Sequence, residues 1–99
     1  MGQVFTPKYI CDEIIDRLNI DISETVCEPS VGKGIFVFTL LENFKGRYTN
    51  EQIFDFVENR LFTFEIDEKI NDTFKSLLVE YLFEIGYDKP LNTKNIKNV

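Results

Sequence analysis

Apolar and polar positions along this chain change period several times, and each change marks a predicted element. From Pro7 to Leu18 the residues Ile10, Cys11, Ile14, Ile15 and Leu18 fall on one side of a 3.6-residue period, with Asp12, Glu13, Asp16 and Arg17 opposite. The spacing predicts an amphipathic helix that packs on a core, opened by Thr6 as a hydroxyl cap and Pro7 at the first helical position. Residues 24–28 then read as a short strand, broken at Pro29 into the run Pro29-Ser30-Val31-Gly32-Lys33-Gly34. Helical spacing resumes through Ile35, Phe36, Leu40, Leu41 and Phe44, and Gly46 is placed to end it.

Thr49 and Gln52 have the spacing of a capping box, so a short helix is expected to carry Ile53, Phe54, Phe56 and Val57. The apolar run Leu61-Phe62-Thr63-Phe64, closed by Glu65, predicts a buried strand. Asp67 follows as the cap of a long helix whose stripe is Ile70, Phe74, Leu77, Leu78, Tyr81, Leu82 and Ile85, with Gly86 as its stop. Residues 88–99 show neither period, although Ile96 to Val99 could enter a third strand, which the sequence alone does not predict as formed. The expected organisation is one incomplete domain: residues 1–20 a leading segment and helix, 21–87 a βαβα core, 88–99 a tail. Strand, helical crossover and strand define an α/β fold, the opening of a parallel sheet with flanking helices.

Composition narrows the class of protein. A hydrophobic fraction of 43%, with ten Phe and four Tyr, is enough for a core and excludes the low-hydrophobicity signature of disorder. There is neither an apolar run of membrane-spanning length nor the start of a secretory signal, so no membrane partner is expected and the cytoplasm is the expected location. Without histidine, and with Cys11 and Cys27 far from ligand spacing, no metal site is expected, and both thiols are read as reduced core residues. The net charge of −6 would repel a phosphate backbone, so this segment is not expected to clamp DNA by itself.

The candidate chemistry lies where the glycine loop and the second strand end meet. In a parallel sheet the carboxyl ends of the strands share a crevice, and a loop of glycines lets backbone amides approach a ligand there. A phosphate-binding P-loop is disfavoured, because Cys27 stands in place of its first glycine and Gly34 in place of its magnesium-binding hydroxyl. A dinucleotide fingerprint is disfavoured too, since its third glycine would be Val37 and Glu28 would repel a pyrophosphate. An acid at position 28 suits a ligand with a cationic end, such as S-adenosylmethionine with its ammonium and sulfonium. Glu65 is then placed to accept hydrogen bonds from ribose hydroxyls, and Ile66 to cover a face of the adenine.

Three segments read in order carry a resemblance: Gly2-Gln3-Val4-Phe5-Thr6-Pro7, then Glu28-Pro29-Ser30-Val31-Gly32-Lys33-Gly34-Ile35-Phe36, then Phe64-Glu65-Ile66-Asp67. Together they resemble motifs X, I and II of N6-adenine DNA methyltransferases of the type I and type IIG restriction-modification kind. The resemblance implies a partial Rossmann-like, S-adenosylmethionine-dependent methyltransferase fold. It implies that Phe5 and Thr6 contact the amino-acid end of the cofactor, that Glu28, Ser30, Gly32 and Gly34 surround it, that Glu65 takes the ribose and that Ile66 lies against the adenine. Asp67 is read as a helix cap rather than a ligand contact, and Phe36 as core. No catalytic residue is expected in this chain: the family's Asn/Asp-Pro-Pro-Tyr/Phe motif is absent, since Pro7, Pro29 and Pro90 are isolated. DNA is therefore an expected partner only through regions of a full-length enzyme outside this sequence, and an exposed sheet edge is expected to favour self-association. Two other readings stand beside this one: a non-catalytic truncated module that binds cofactor weakly for want of a third strand, and a fragment of a methyltransferase with another substrate.

Overall fold

The computed structural model describes residues 7–99. Thr6, the predicted cap of the first helix, and Phe5 lie outside the described residues. Helix α1 spans Lys8–Leu18, with Pro7 at its N-cap, and ends at Asn19, whose left-handed backbone (φ 47°) lets its N–H reach the Ile15 carbonyl. Its solvent side carries the i,i+4 pairs Lys8–Asp12 and Glu13–Arg17. Only part of the predicted apolar face is covered: Cys11 and Ile15 are buried, while Ile10, Ile14 and Leu18 remain at its exposed margins. Among the described residues the helix packs mainly on α2, through the side that carries Cys11 and Ile15.

Strand β1 is Val26–Glu28, shorter than the expected 24–28. Asp21 explains the difference, because its carbonyl accepts from Glu24 N–H and its carboxylate from Ser23, committing residues 21–24 to a turn. The glycine loop leads into α2 (Ile35–Lys45), closed by Gly46 in ordinary helical backbone. Helix α3 (Asn50–Asn59) starts at the predicted capping box, with Thr49 Oγ1 accepting from Gln52 N–H and Gln52 Oε1 accepting from Thr49 N–H. Strand β2 is Leu61–Glu65, and α4 is Glu68–Glu84, capped by Asp67 through a 3.0 Å bond from Ile70 N–H.

The tail contains a third strand, β3 (Ile96–Asn98), in the stretch that could enter one, so the expectation that this strand is missing is corrected. The three strands lie in the order β1-β2-β3, all parallel, with Val26 opposite Leu61 and Thr63 opposite Ile96. A three-residue strand with one buried apolar residue leaves no hydrophobic period to read. Backbone bonds hold it instead: Thr63 N–H to the Asn95 carbonyl and Val99 N–H to the Glu65 carbonyl, each 3.0 Å. Glu58 anchors the approach, accepting from Tyr87 Oη and Asn92 N–H on its carboxylate and from Asn95 Nδ2 on its carbonyl.

The register assigns one sheet face to Val26, Leu61, Thr63, Glu65 and Ile96, and the other to Cys27, Phe62, Phe64 and Lys97. The first face is the more buried, and Leu40, Leu41, Phe44, Phe56, Phe74, Leu78 and Leu82 from α2, α3 and α4 form the core with it. Phe44 stands edge-on to Phe56 at 5.0 Å, and Phe38 of α2 meets both Phe74 (5.8 Å) and Tyr81 (5.7 Å) of α4. Cys11 is a buried thiol as expected, but Cys27 is exposed, because strand alternation turns it to the less covered face. Phe36 is only partly buried at the edge of the core. No helix among the described residues is long and apolar enough to cross a membrane.

Candidate functional site

The carboxyl ends of β1 and β2 are adjacent, and the candidate residues gather there. The loop after β1 is fixed by its own backbone: Gly34 N–H donates to the Val31 carbonyl at 2.9 Å, and Val31 N–H donates across to the Phe64 carbonyl of β2 at 3.2 Å. Gly32 and Gly34 both have positive φ (56° and 81°), the region where a side chain costs most. At Gly34 there is a second requirement. A Cβ would stand 2.6 Å from Phe74 Cδ1 and 2.8 Å from Phe38 Cε2, so the ring of α4 occupies the space a side chain would need. Gly34 is therefore demanded by packing as well as by the turn.

Glu28, half-buried at the end of β1, turns back on its own loop, where Oε1 accepts from Ser30 N–H at 3.1 Å. Its charge reaches the start of α1. Cys11 is pushed above the usual thiol range, first by burial, then by Asp12 and Glu28, with Lys8 opposing.

Glu65 is the most constrained member of the set, at 1% exposure. Oε1 accepts from Gly32 N–H at 3.0 Å and Oε2 from Asp67 N–H at 2.9 Å. The glycine loop and the end of β2 are thereby joined through one carboxylate, with a charge-assisted bond on each oxygen. Ile66, immediately after it, is 78% exposed and projects at the strand ends. Beside the loop an open depression of about 260 Å³ is lined by Gly32, Lys33, Lys69, Ile70 and Thr73, so the loop borders it on the side of the α4 N-terminus.

The structure therefore brings Glu28, Ser30, Gly32, Gly34, Glu65 and Ile66 into one region, while Phe5 and Thr6 lie outside the described residues. It adds one residue that sequence reasoning missed. Asn98 Nδ2 donates to the carbonyls of Glu65 (2.8 Å) and Ile66 (3.2 Å), fixing the turn that presents both. A penultimate Asn in an aperiodic tail gives no sequence signal for this. Asn71, also unforeseen, is buried on α4 amid the apolar stripe, and among the described residues neither its Oδ1 nor Thr63 Oγ1 on β2 has a hydrogen-bond partner. Among the described residues, no group of three or more His, Cys, Asp or Glu is arranged to hold a metal ion.

An α/β unit with a parallel three-stranded sheet, flanking helices and a glycine loop facing an acid on the next strand is compatible with part of a Rossmann-like fold. The chain is similar to the type II restriction enzyme and methyltransferase RM.BcgI of Heyndrickxia coagulans, with 30% identity over 71 residues, covering 71% of this chain. It spans only 11% of that relative's length. No protein-family model matches the chain.

Proposed function

We propose that this chain is the S-adenosylmethionine-binding part of a DNA adenine N6-methyltransferase of a restriction-modification system. The observation that carries the reading is the junction of the glycine loop with Glu65 at adjacent strand ends. It gathers in space two segments that the sequence separates, and the similarity to a restriction enzyme and methyltransferase supports the same assignment. In this reading Glu28 attracts the cationic methionine end, the backbone at Ser30, Gly32 and Gly34 lines its path, Glu65 receives the ribose and Ile66 covers the adenine. Phe5 and Thr6 complete the methionine end. The cofactor would supply the methyl group; the residues of this chain bind and orient it.

Transfer to DNA also needs groups that hold an extruded adenine in line with the methyl group, and this sequence carries no Asn/Asp-Pro-Pro-Tyr/Phe motif for that task. Base selection and DNA contact are assigned to other parts of the complete enzyme. The weak-binding module reading invoked a missing third strand; with β3 formed, that reason lapses. Ultraviolet cross-linking of the purified chain with methyl-labelled S-adenosylmethionine, followed by peptide mapping, tests the assignment. Label is expected in peptides containing residues 28–36 or 64–67. Label confined to other peptides, or none on a folded chain, would overturn it.

A further inference from the structure

We propose that Glu65 is a latch: in the ligand-free chain its carboxylate holds the glycine loop closed through Gly32, and nucleoside hydroxyls open it by taking the carboxylate over. The inference rests on the nucleoside-site reading above. It starts from a conflict in the geometry. A residue meant to accept hydrogen bonds from a ribose is 1% exposed, and each of its oxygens already accepts a backbone N–H. No hydroxyl reaches such a group unless its surroundings change.

The bonds present are the kind that a ribose can exchange. A buried carboxylate needs donors to offset its lost hydration, and Gly32 and Asp67 supply two of them. Two vicinal hydroxyls supply the same number, so the charge need never be left bare during the exchange. The freed amides are at places that tolerate release: Asp67 is an exposed helix cap, and Gly32 has no side chain to restrict its backbone, which already stands at φ 56°. Meanwhile the 3.2 Å bond from Val31 N–H to the Phe64 carbonyl involves no part of the carboxylate and keeps the loop docked on β2. Asn98 holds the carbonyl side of the Glu65–Ile66 turn, so the side chain moves on a fixed backbone.

Amide hydrogen exchange, followed residue by residue in the nitrogen-15-labelled full chain, tests this with S-adenosylmethionine and S-adenosylhomocysteine as probes. In the free chain the Gly32 and Asp67 amides are expected to be protected, and Glu65→Gln, whose single amide oxygen can accept from one of them only, to accelerate exchange of the other at least tenfold without unfolding the protein. Saturating ligand is expected to accelerate exchange at the Asp67 amide of the native chain, while Val31 stays protected and Gly32 turns from Glu65 to the ligand beside it. Ligand binding ordinarily slows exchange, which makes selective acceleration diagnostic. Saturable binding with Asp67 still protected would overturn the latch and leave the nucleoside site standing. An absence of any ligand-dependent change in the folded native chain would overturn the nucleoside reading, and the latch with it. Should Glu65→Gln fail to fold, the comparison of free and liganded native chain decides alone.

Discussion

Replacing Gly34 by alanine separates what the glycine loop owes to packing from what it owes to backbone conformation. Two costs act together. A left-handed backbone at φ 81° costs an alanine about 1–2 kcal/mol. The new Cβ would also sit 2.6 and 2.8 Å from two atoms of the Phe74 ring and 2.8 Å from Phe38, well inside ordinary carbon contact. Phe74 is fully buried and the rings of Phe38 and Phe74 pack together, so relief requires moving core side chains, at about 1–3 kcal/mol. The sum is roughly 2–5 kcal/mol, a fall in Tm of the order of 10 °C or more for a domain of this size. The other glycines provide controls. Gly86 has φ 108° but nothing within 4 Å of its would-be Cβ, so Gly86→Ala carries the backbone cost alone. Gly46 has φ −76° and only an ordinary 3.6 Å contact, so Gly46→Ala is expected to stabilise by about 0.4–1 kcal/mol. Urea unfolding should rank the proteins Gly46→Ala, native, Gly86→Ala, Gly34→Ala, from most to least stable. In a Phe74→Leu background the Gly34→Ala cost should shrink toward that of Gly86→Ala. Equal losses for Gly34→Ala and Gly86→Ala in the native background would refute the packing argument.

Other outcomes follow from single features. Thr49→Ala removes one half of the capping box of α3 and should cost about 1 kcal/mol in the same unfolding assay. Tyr81 is pushed up to about 12, first by burial and then by the charge of Glu42, and among the described residues its hydroxyl has no well-formed hydrogen bond. Because the folded pKa lies above the unfolded value near 10, its stabilising contribution is complete below that value and is lost as pH rises from about 10 to 12. Tyr81→Phe should flatten that part of the alkaline stability profile; an unchanged slope would contradict the assignment. A thiol reagent should modify exposed Cys27 rapidly and buried, pKa-raised Cys11 only on unfolding, so two fast thiols would contradict the packing of α1.

Where an element is specified by its own residues, it could be read from the chain. The capping box at Thr49 and Gln52, the Asp67 cap and the apolar run of β2 all act within a few residues, and each formed as expected. Where partners lie far apart in sequence, local pattern failed. Strand β3 depends on bonds to β2 and on Glu58, more than thirty residues upstream, and so has no period of its own. The α1 stripe was legible as a helix face, but not how much of it a neighbour would cover. Cys27 was misplaced because apolar character does not say which sheet face is the covered one. The candidate site divides in the same way. Glycine and acid positions were visible in the motifs, whereas the bonding of Glu65 to Gly32, the support from Asn98 and the contact of Phe74 with Gly34 are properties of the folded chain.

The central claim is that the joined strand ends form a site for S-adenosylmethionine rather than for a phosphate-bearing nucleotide. Calorimetric titration of the folded chain with S-adenosylmethionine, ATP and NAD in parallel tests it most directly, with Glu28→Ala as the variant, since that side chain bonds only within its own loop among the described residues. The account predicts saturable heat with S-adenosylmethionine alone, weakened in Glu28→Ala. Saturation by ATP or NAD, or no saturable heat from S-adenosylmethionine in a chain shown to be folded, would contradict it.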